Sequence, residues 1–387
     1  MSLDQKVRFL SDPRHYPGHP RSVIMRETHM SWVFLAGSRV YKLKKPVRFP
    51  YLDFSTPDRR AAACRAEDRL NRRLAPDVYL GVVPLVAGPL GLGIGGAGRV
   101  VDWLVVMRRL DDRGFLDAAL RARALPSASL DRLSAALVRF YAHAAPVPVR
   151  LAAPALRRTW DLALAYNRHV LLDPGFPPPW HLPWGIVARI DRIQTRFLHR
   201  HFGAILARIR AGRIVDAHGD LRPEHIWLAR DVTIIDCLEF DARLRALDPL
   251  DEIAFLQLEC ARLGAPWAGA RIARRLKPVM QGRGTDALLL FYRSHRAMLR
   301  ARLAIMHLRD ARQRTPEKWP RQARAYLRLA LSDALRLQRL TRGDGGSFPI
   351  ARSPFRSSPD DTHRNSDTDP VRRTGRKTCR RYPAAAT

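Results

Sequence analysis

The segment His218-Gly219-Asp220-Leu221-Arg222-Pro223-Glu224-His225, followed by Ile234-Ile235-Asp236, is the part of the chain that decides the fold. It places two carboxylates, Asp220 and Asp236, sixteen residues apart, and each lies beside an apolar run that predicts a short buried strand. Phosphoryl transfer from ATP uses such a pair: one carboxylate orients the attacking hydroxyl and the other holds the magnesium that bridges the phosphates. The segment therefore predicts a site for phosphoryl transfer.

Length and composition indicate a globular protein with more than one lobe. The chain has 387 residues, of which 46% are hydrophobic, which favours two lobes with a substantial core and a tail. Its apolar runs are shorter than the ~20 residues that span a bilayer, and residues 1–10 lack the apolar core of a signal peptide. We therefore expect a cytoplasmic location and no association with a membrane.

The charge does not by itself predict a nucleic-acid partner. The net charge is +32, but only seven of the 68 basic residues are Lys. Arginines spread along the whole chain are typical of the codon bias of a GC-rich genome, so specific nucleic-acid binding is not expected. The four cysteines form no C-x-x-C pair, which argues against zinc and against a disulfide framework.

Against this arginine background, the run Lys42-Leu43-Lys44-Lys45 holds three of the seven lysines. A compact ammonium group binds a phosphate as a point charge, and a planar guanidinium does not replace it there. The cluster therefore predicts a lysine that the chemistry requires.

Periodicity divides the chain into a strand-rich part and a helical part. Strands are predicted at 22–26, 31–36, 39–44, 82–86 and 100–107, with a helix at 59–74 that starts near Ser55-Thr56-Pro57. Helices are predicted at 117–123, 129–145, 159–171, 186–209, 286–310 and 316–340. The run Gly93-x-Gly95-x-x-Gly98 leads into a strand, so it predicts a hairpin loop and not a dinucleotide-binding turn.

This order of elements and motifs resembles the aminoglycoside phosphotransferase family, whose members have a protein-kinase-like fold. The resemblance covers roughly residues 20–310. It is sharpest over 218–256 and over 27–56, which contains Glu27-Thr28-His29-Met30-Ser31, Tyr41-Lys42-Leu43-Lys44-Lys45-Pro46 and Leu52-Asp53-Phe54-Ser55-Thr56. These runs are similar to a branch in which the module often precedes an ATP-binding P-loop domain. The chain contains no G-x-x-x-x-G-K-[ST], so that second domain is not expected in it.

The resemblance implies an α+β, bilobal fold. It predicts a small N-lobe at 1–107 made of an antiparallel sheet plus one helix, which binds ATP. A larger helical C-lobe at 108–342 would carry the catalytic loop. Residues 343–387, rich in Ser, Pro, Asp, Thr and Arg without periodicity, are predicted to be disordered.

The resemblance also assigns the ATP-binding residues. Lys42 is the expected ATP lysine, with Lys44 as the alternative on the same strand face, and Glu67 is its expected partner on the helix. Asp68 points about 100° away from Glu67 on a helix, so both cannot serve. Thr28, His29 and Ser31 occupy the place of the glycine-rich phosphate loop of protein kinases, and Met107 marks the interlobe hinge that would meet adenine.

In the C-lobe, Asp220 is implied to orient the proton of the acceptor hydroxyl, and Asp236 to bind Mg²⁺. His218 is expected to brace the loop, and Asp251 to anchor it by hydrogen bonds. The family pattern places Asn five residues after the catalytic Asp, where this chain has His225. Its imidazole suits Mn²⁺ better than Mg²⁺; His225 ligates the metal, or Glu224 or water replaces it, or catalysis is weak.

The implied function is an ATP-dependent phosphotransferase that acts on the hydroxyl of a small molecule. The alternative is a catalytically inactive kinase-like module that binds a nucleotide or a partner, which His225 favours. A polycationic acceptor such as an aminoglycoside would need an acidic patch, for which the acids near 248–252 are the candidates. The acceptor and the oligomeric state stay open.

Overall fold

The structure is a computed structural model that describes residues 1–49, 52–89, 91–229, 231–280, 282, 284–309 and 315–343. The tail predicted to be disordered, 343–387, lies outside these residues except for Gly343. In the described part, no helix is both long enough and apolar enough to cross a bilayer.

The N-terminal part is built on an antiparallel sheet. The chain begins with α1 (Leu3–Leu10), and the sheet contains β1 (Val23–Glu27), β2 (Ser31–Ala36), β3 (Arg39–Lys44), β6 (Tyr79–Gly88), β7 (Gly91–Ile94) and β8 (Arg99–Arg108). The strand order is β1-β2-β3-β8-β6-β7. A small hairpin, β4 (Arg48–Phe49) and β5 (Leu52–Asp53), leads into helix α2 (Pro57–Asn71).

Helix α2 begins where the sequence predicts it. Thr56 is the N-cap and its hydroxyl accepts a hydrogen bond from the backbone N–H of Arg59, while Pro57 occupies the first helical position. One face of α2 packs on β6 and β8. The helix thereby carries Glu67 under the sheet, towards β3.

The C-terminal part is mainly helical. Its elements are α3 (Leu116–Arg121), α4 (Ser127–His143), α5 (Ala153–Leu171), α6 (Trp184–Arg210), β9 (Val215–Asp216), β10 (Ile226–Leu228), β11 (Val232–Ile234), α7 (Ala242–Arg245), β12 (Ala246–Leu247), α8 (Pro249–Arg262), α9 (Pro266–Arg275), α10 (Lys277–Met280), α11 (Thr285–Met306) and α12 (Lys318–Gly343). Strands β10 and β11 form an antiparallel hairpin between the two predicted carboxylate positions.

Helix α8 is the centre of the C-lobe. All its residues from Pro249 to Cys260 are buried, and it packs against α9, α11 and α12. A helix buried on every side must satisfy its charged residues internally. This requirement fixes the surroundings of the acids near 248–252.

The predicted bilobal fold is confirmed, with two additions. The sequence pattern predicts no helix at α1. This helix is only eight residues long and is stabilised by a capping box between Ser2 and Gln5. The pattern also predicts a loop over the glycine-rich run, but residues Gly91–Ile94 form the edge strand β7. The run Gly95–Gly98 then turns directly into β8, so the exclusion of a dinucleotide-binding turn is correct. The lobe boundary near residue 107 stays a prediction; β8 ends at Arg108.

A buried ionic cluster fastens α1 and α2 to the sheet. The carboxylate of Asp102 on β8 accepts two hydrogen bonds from Arg60, at 2.7 and 2.8 Å, and one from Lys6 at 2.6 Å. All three residues are buried. Removal of one partner from such a group leaves uncompensated charge in the interior.

We therefore expect Asp102→Ala to lower the free energy of unfolding by about 3–5 kcal/mol, because it strands two buried cations. Urea denaturation monitored by circular dichroism measures the change. The matched control is Asp161→Ala, whose side chain is 45% exposed and pairs with Arg157 on the same helix, and its loss should cost less than about 1 kcal/mol. Equal effects of the two substitutions would contradict the role of the Asp102 cluster.

Candidate active site between the sheet and the helical lobe

Lys42 lies at the junction between the two lobes. It projects from β3 with 16% of its side chain exposed, and its Nζ donates to Glu67 Oε1 at 2.8 Å and to Asp236 Oδ1 at 2.9 Å. The structure thus brings together a strand lysine, a helix glutamate and the carboxylate after β11. Asp68, the alternative partner, pairs with Arg72 on its own helix.

Lys44 lies one step deeper on the same strand face. Its Nζ donates to Glu67 Oε2 at 2.6 Å and to Glu239 Oε1 at 2.5 Å, and its side chain is 1% exposed. Each oxygen of Glu67 therefore accepts from a different lysine. Because Lys44 is enclosed while Lys42 borders the cleft, the position of Lys42 is the one from which an ammonium group can reach a ligand.

Electrostatics keep this cluster ionised despite its burial. Burial opposes the charged form of Lys42, but Asp236 and Glu67 hold the pKa of Lys42 well above its ordinary value. Burial likewise opposes ionisation of Glu67, and Lys42 and Lys44 nevertheless lower its pKa. Lys42 is also the main cause of the lowered pKa of Asp236.

Asp236 has an unusual backbone. Its φ is +63°, in the left-handed region, which for a residue with a side chain marks strain that the surroundings must support. Its backbone N–H donates to the hydroxyl of buried Tyr79 at 3.3 Å. The carboxylate itself is 46% exposed and faces the cleft, where it can bind a ligand.

The loop that carries Asp220 is held from below by a buried acid. The backbone N–H groups of His218 and Gly219 donate to the two oxygens of Glu252, at 3.2 and 2.5 Å, and Tyr141 donates to Oε2 at 2.8 Å. Gly219 has φ +90°, and a Cβ there would lie 2.9 Å from Leu238. Glycine is therefore required at this turn.

The buried imidazole of His218 contacts the same loop. Burial lowers its pKa to about 3, so the ring is neutral. Its Nδ1 accepts from the N–H of Asp220 at 3.3 Å, and its Nε2 lies 3.0 Å from the carbonyl oxygen of Ile235, to which it donates. This imidazole thereby links the Asp220 loop to the segment that carries Asp236.

The expectation for Asp251 needs correction. Its carboxylate accepts two hydrogen bonds from Arg296, both at 2.8 Å, and it does not contact the backbone of the catalytic loop. The adjacent Glu252 makes the anchoring contacts instead. Successive residues on a helix point about 100° apart, so only one of the two can face the loop.

Asp220 is paired but remains accessible. Its Oδ2 accepts from Nε of Arg222 at 3.0 Å, and 22% of its side chain is exposed. Burial opposes its ionisation, yet Arg222, His225 and Arg300 hold the pKa of Asp220 below its ordinary value. The carboxylate is therefore ionised near neutral pH.

His225 lies between the two carboxylates. Its Nδ1 is 3.6 Å from Asp220 Oδ2 and its Nε2 is 3.5 Å from Asp236 Oδ2. Because Arg222 can only donate, Nε2 accepts its hydrogen bond at 3.0 Å, and Nδ1 carries the proton that it donates to the carbonyl oxygen of Asp220 at 2.9 Å. Glu224, the alternative metal ligand, accepts from Arg262 at 2.8 Å.

The turn after β1 borders the other end of the cleft. The Thr28 hydroxyl donates to the carbonyl oxygen of Ser31 and accepts from its N–H, at 3.0 and 2.9 Å. These groups, expected to face phosphate, are thus used inside the turn. Among the described residues, the N–H groups of His29 and Met30 have no hydrogen-bond acceptor. Met107 lies on β8 beside the same cleft.

Lys42, Asp220, His225 and Asp236 line one cavity of about 790 Å³. Its N-lobe wall is apolar around Val33, Val40 and Met107, its middle carries Lys42 and Asp236, and its C-lobe end carries Asp220. The cavity is large enough for a nucleotide and a small second ligand. No group of three or more His, Cys, Asp or Glu suited to a metal is found within the described residues.

The chain is similar to curated proteins over 72% of its length. No family model matches the chain. Uncharacterised proteins of Mycobacterium bovis and Mycobacterium tuberculosis are 33% identical to it over 283 residues, which are 72% of this chain and 54% of each relative. The chain thus spans about half the length of the curated relatives it matches.

Among solved structures, a choline/ethanolamine kinase family protein from Mesorhizobium loti matches with a TM-score of 0.51 and 15% identity, over 87% of this chain and 99% of that chain. The GDP complex of aminoglycoside 2'-phosphotransferase-IIIa matches with a TM-score of 0.49 and 15% identity, over 86% and 99%. At this identity the first likeness establishes the fold. The chain has the fold of this choline/ethanolamine kinase family protein.

Sequence reasoning missed three residues of the site: Glu239, Glu252 and Tyr79. Glu239 lies three residues after Asp236, and Glu252 is adjacent to Asp251, the residue predicted to anchor the loop. The available signal was an acidic residue that lies either next to a predicted site residue or three residues from it. Nothing in the sequence marks Tyr79, because its role depends on the packing of β6 against the Asp236 segment.

The anchoring of the loop by Glu252 can be tested by mutation. Glu252→Ala leaves two backbone N–H groups and the Tyr141 hydroxyl without their buried acceptor, so we expect a loss of about 3–5 kcal/mol in the free energy of unfolding. Tyr141→Phe removes a single donor and should cost about 1 kcal/mol. Urea denaturation of both variants provides the measurement; a smaller effect for Glu252→Ala would contradict the assignment.

The neutral state of His218 predicts a pH dependence. Burial lowers the pKa of His218 from 6.5 to about 3, so between these values the unfolded chain binds one more proton than the folded chain, and stability falls as the pH falls. Relative to His218→Asn, the parent should lose up to about 1.4 kcal/mol more per pH unit below 6.5. Burial also lowers the pKa of His295, to about 4, so the variant keeps part of the slope.

Urea denaturation at pH 7, 6 and 5 gives both slopes. Parallel curves for the parent and His218→Asn would show that the ring is not held neutral in the folded chain.

Proposed function

We propose that this chain is an ATP-dependent phosphotransferase that moves the γ-phosphate of ATP to a hydroxyl group of a small molecule. The observation that supports it most is the position of Lys42, which contacts both Glu67 and Asp236 at the edge of the cavity that also contains Asp220. In kinases, a strand lysine paired with a helix glutamate contacts the α- and β-phosphates. Because Lys42, Asp220 and Asp236 all line this one cavity, they are hard to explain as surface ion pairs.

ATP would bind with its adenine against the apolar wall near Met107 and its phosphates near Lys42. Thr28, His29 and Ser31 belong to the turn above the phosphates, where the N–H groups of His29 and Met30 would provide donors. When a phosphate binds Lys42, it competes with Asp236 for the ammonium group, because the two now bond at 2.9 Å. Asp236 then becomes available to a cation.

The residues present fit Mg²⁺. In kinase sites this ion takes one or two protein carboxylates and completes its shell with phosphate oxygens and water, so the half-exposed Asp236 suffices without a cluster of three ligands. Magnesium bound there would neutralise charge that develops on the phosphates.

We assign His225 a positioning role in preference to a ligand role. Its Nδ1–H is committed to the carbonyl oxygen of Asp220 and its Nε2 accepts from Arg222. The ring thus fixes the loop and the guanidinium between the two carboxylates. If Nε2 exchanges Arg222 for a metal, the softer nitrogen would favour Mn²⁺ over Mg²⁺.

Asp220 would act mainly by orientation. Its lowered pKa makes it a weak base, so it accepts the proton of the acceptor hydroxyl only as the new bond to phosphorus forms. Most of the catalysis would come from alignment of the hydroxyl with the γ-phosphate and from charge neutralisation. Asp251 would support this end indirectly, through its pairing with Arg296.

The decisive experiment compares Asp220→Ala with Asp131→Ala, a half-buried acid that pairs with Arg271 and does not line the cavity. We expect Asp220→Ala to lower the rate of ADP release by about 10²–10⁴-fold while the thermal shift caused by Mg-ATP stays close to that of the parent. Asp131→Ala should change neither. Unaltered ADP release in Asp220→Ala would refute the assignment.

The second candidate is a catalytically inactive module that binds a nucleotide or a partner. The pairing of Asp220 with Arg222, together with His225 at the position of the family's Asn, favours it. Thermal shifts with Mg-ATP, Mn-ATP and ATP plus a chelator separate the two functions. Metal-dependent stabilisation without turnover on any acceptor would support the inactive module.

A further inference from the structure

The acids near 248–252, the candidates for binding a cationic acceptor, do not line the cavity. Asp248 pairs with Arg208, with one oxygen 2.7 Å from a guanidinium nitrogen, and Asp251 pairs with Arg296. Glu252 holds the catalytic loop and Tyr141. All three acids are buried, and none of them lies among the described residues that line the cavity. The acidic patch that the sequence allowed at 248–252 is therefore structural.

The wall next to Asp220 instead presents arginines. Arg222, Arg296 and Arg300 line the cavity there, and the positive charge of Arg300 contributes to the lowered pKa of Asp220. Arg222 is paired with Asp220 and Arg296 with Asp251. Arg300 differs from both, because its contacts leave part of its guanidinium unused.

One nitrogen of Arg300 has polar partners, and its guanidinium also lies over the rings of Tyr326 and Phe255, 5.6 and 5.9 Å from their centroids. Its Nε lies 3.3 Å from the Tyr326 hydroxyl and 3.4 Å from Glu259 Oε1. Its two terminal nitrogens contact no hydrogen-bond acceptor among the residues that the structure describes. The guanidinium is therefore fixed at its base, with a pair of donors left towards the cavity.

Glu259 does not cancel this donor pair. Its side chain is completely buried and accepts from the Tyr326 hydroxyl at 2.7 Å and from Nε of Arg262 at 2.5 Å. It lies behind Arg300, as a support that keeps the cation in place. The rest of this wall is apolar, with Phe255, Leu299 and Leu303.

We infer that the acceptor of this chain carries an oxyanion, a carboxylate or a phosphate monoester, and that Arg300 binds that group while the acceptor hydroxyl faces Asp220. The inference rests on the proposed phosphotransferase function. A fork of two N–H donors fits the paired oxygens of a carboxylate or phosphate, and the apolar wall would contact the carbon skeleton. A cationic acceptor would meet like charge from Arg300 and Arg222.

The test supplies four size-matched pools of small hydroxy compounds to the full chain with Mg-ATP and measures ADP release above the acceptor-free rate. The pools are hydroxy acids, sugar phosphates, neutral polyols and amino alcohols. Stimulation is expected from one of the two anionic pools, and the pool that responds distinguishes carboxylate from phosphate. Stimulation by polyols or amino alcohols alone, or by no pool while the parent shows Asp220-dependent release of ADP, would overturn the inference.

Variants then assign the anion to Arg300. For the compound that stimulates, Arg300→Gln should raise KM at least tenfold with a smaller effect on kcat, and Arg300→Lys, which keeps the charge without the fork, should lie between Arg300→Gln and the parent. Arg328→Gln removes an exposed cation from α12 outside the cavity and should leave KM unchanged. Circular dichroism establishes that each variant is folded.

An unchanged KM in Arg300→Gln and Arg300→Lys would overturn the assignment of the anion site. Failure of the proposed function is recognised separately, because the acceptor-free ADP release of the parent would then be absent or equal to that of Asp220→Ala, and the inference would fall with it.

Discussion

The fold depends on one buried chain of alternating charges, Lys42–Glu67–Lys44–Glu239. Glu67 is completely buried and each of its oxygens binds a different lysine. An unpaired charge in that place would cost several kcal/mol, so β3, α2 and the segment after β11 are constrained to meet. The contacts join residues 25 and 195 positions apart in sequence. The charge chain therefore fixes the relation between the sheet and the helical lobe as well as the position of Lys42.

The same constraint separates two tasks between the two lysines. Lys44 is enclosed and shares its charge between two acids, so it stabilises the fold. Lys42 has one partner inside and one, Asp236, at the edge of the cavity. Asp236 is held in a strained conformation by contacts on both sides, from Tyr79 beneath it and from the His218 bond to Ile235 just before it. Such over-determined strain is typical of residues that a site must present to a ligand.

The sequence specified the parts of the site that short-range patterns encode. The strand alternation located β2 and β3, and the Thr56-Pro57 cap located α2. The family resemblance, and not a short-range pattern, implied that Lys42, Glu67, Asp220 and Asp236 would lie close together. It could not specify contacts that depend on the rotation of a buried helix. Asp251 and Glu252 are adjacent acids on α8, and only packing decides that Glu252 faces the loop. The helix α1 and the glycine-rich β7 were missed because their stability comes from the sheet on which they lie and not from a strong local pattern.

Lysine and arginine occupy different kinds of buried position in the structure. Arginine occupies buried positions where one carboxylate can take both arms of a guanidinium, as in Arg60–Asp102 and Arg296–Asp251. Lys42 and Lys44 are instead placed where one point charge reaches two acids that lie in different directions, which a planar fork does less well. The same geometry applies to Arg300. With Nε held by Tyr326 and Glu259, its remaining donors lie side by side, which suits a pair of oxygens on one ligand better than two separate acids of the protein. Arg300, whose terminal donors find no acceptor among the described residues, thus lines the cavity near Asp220.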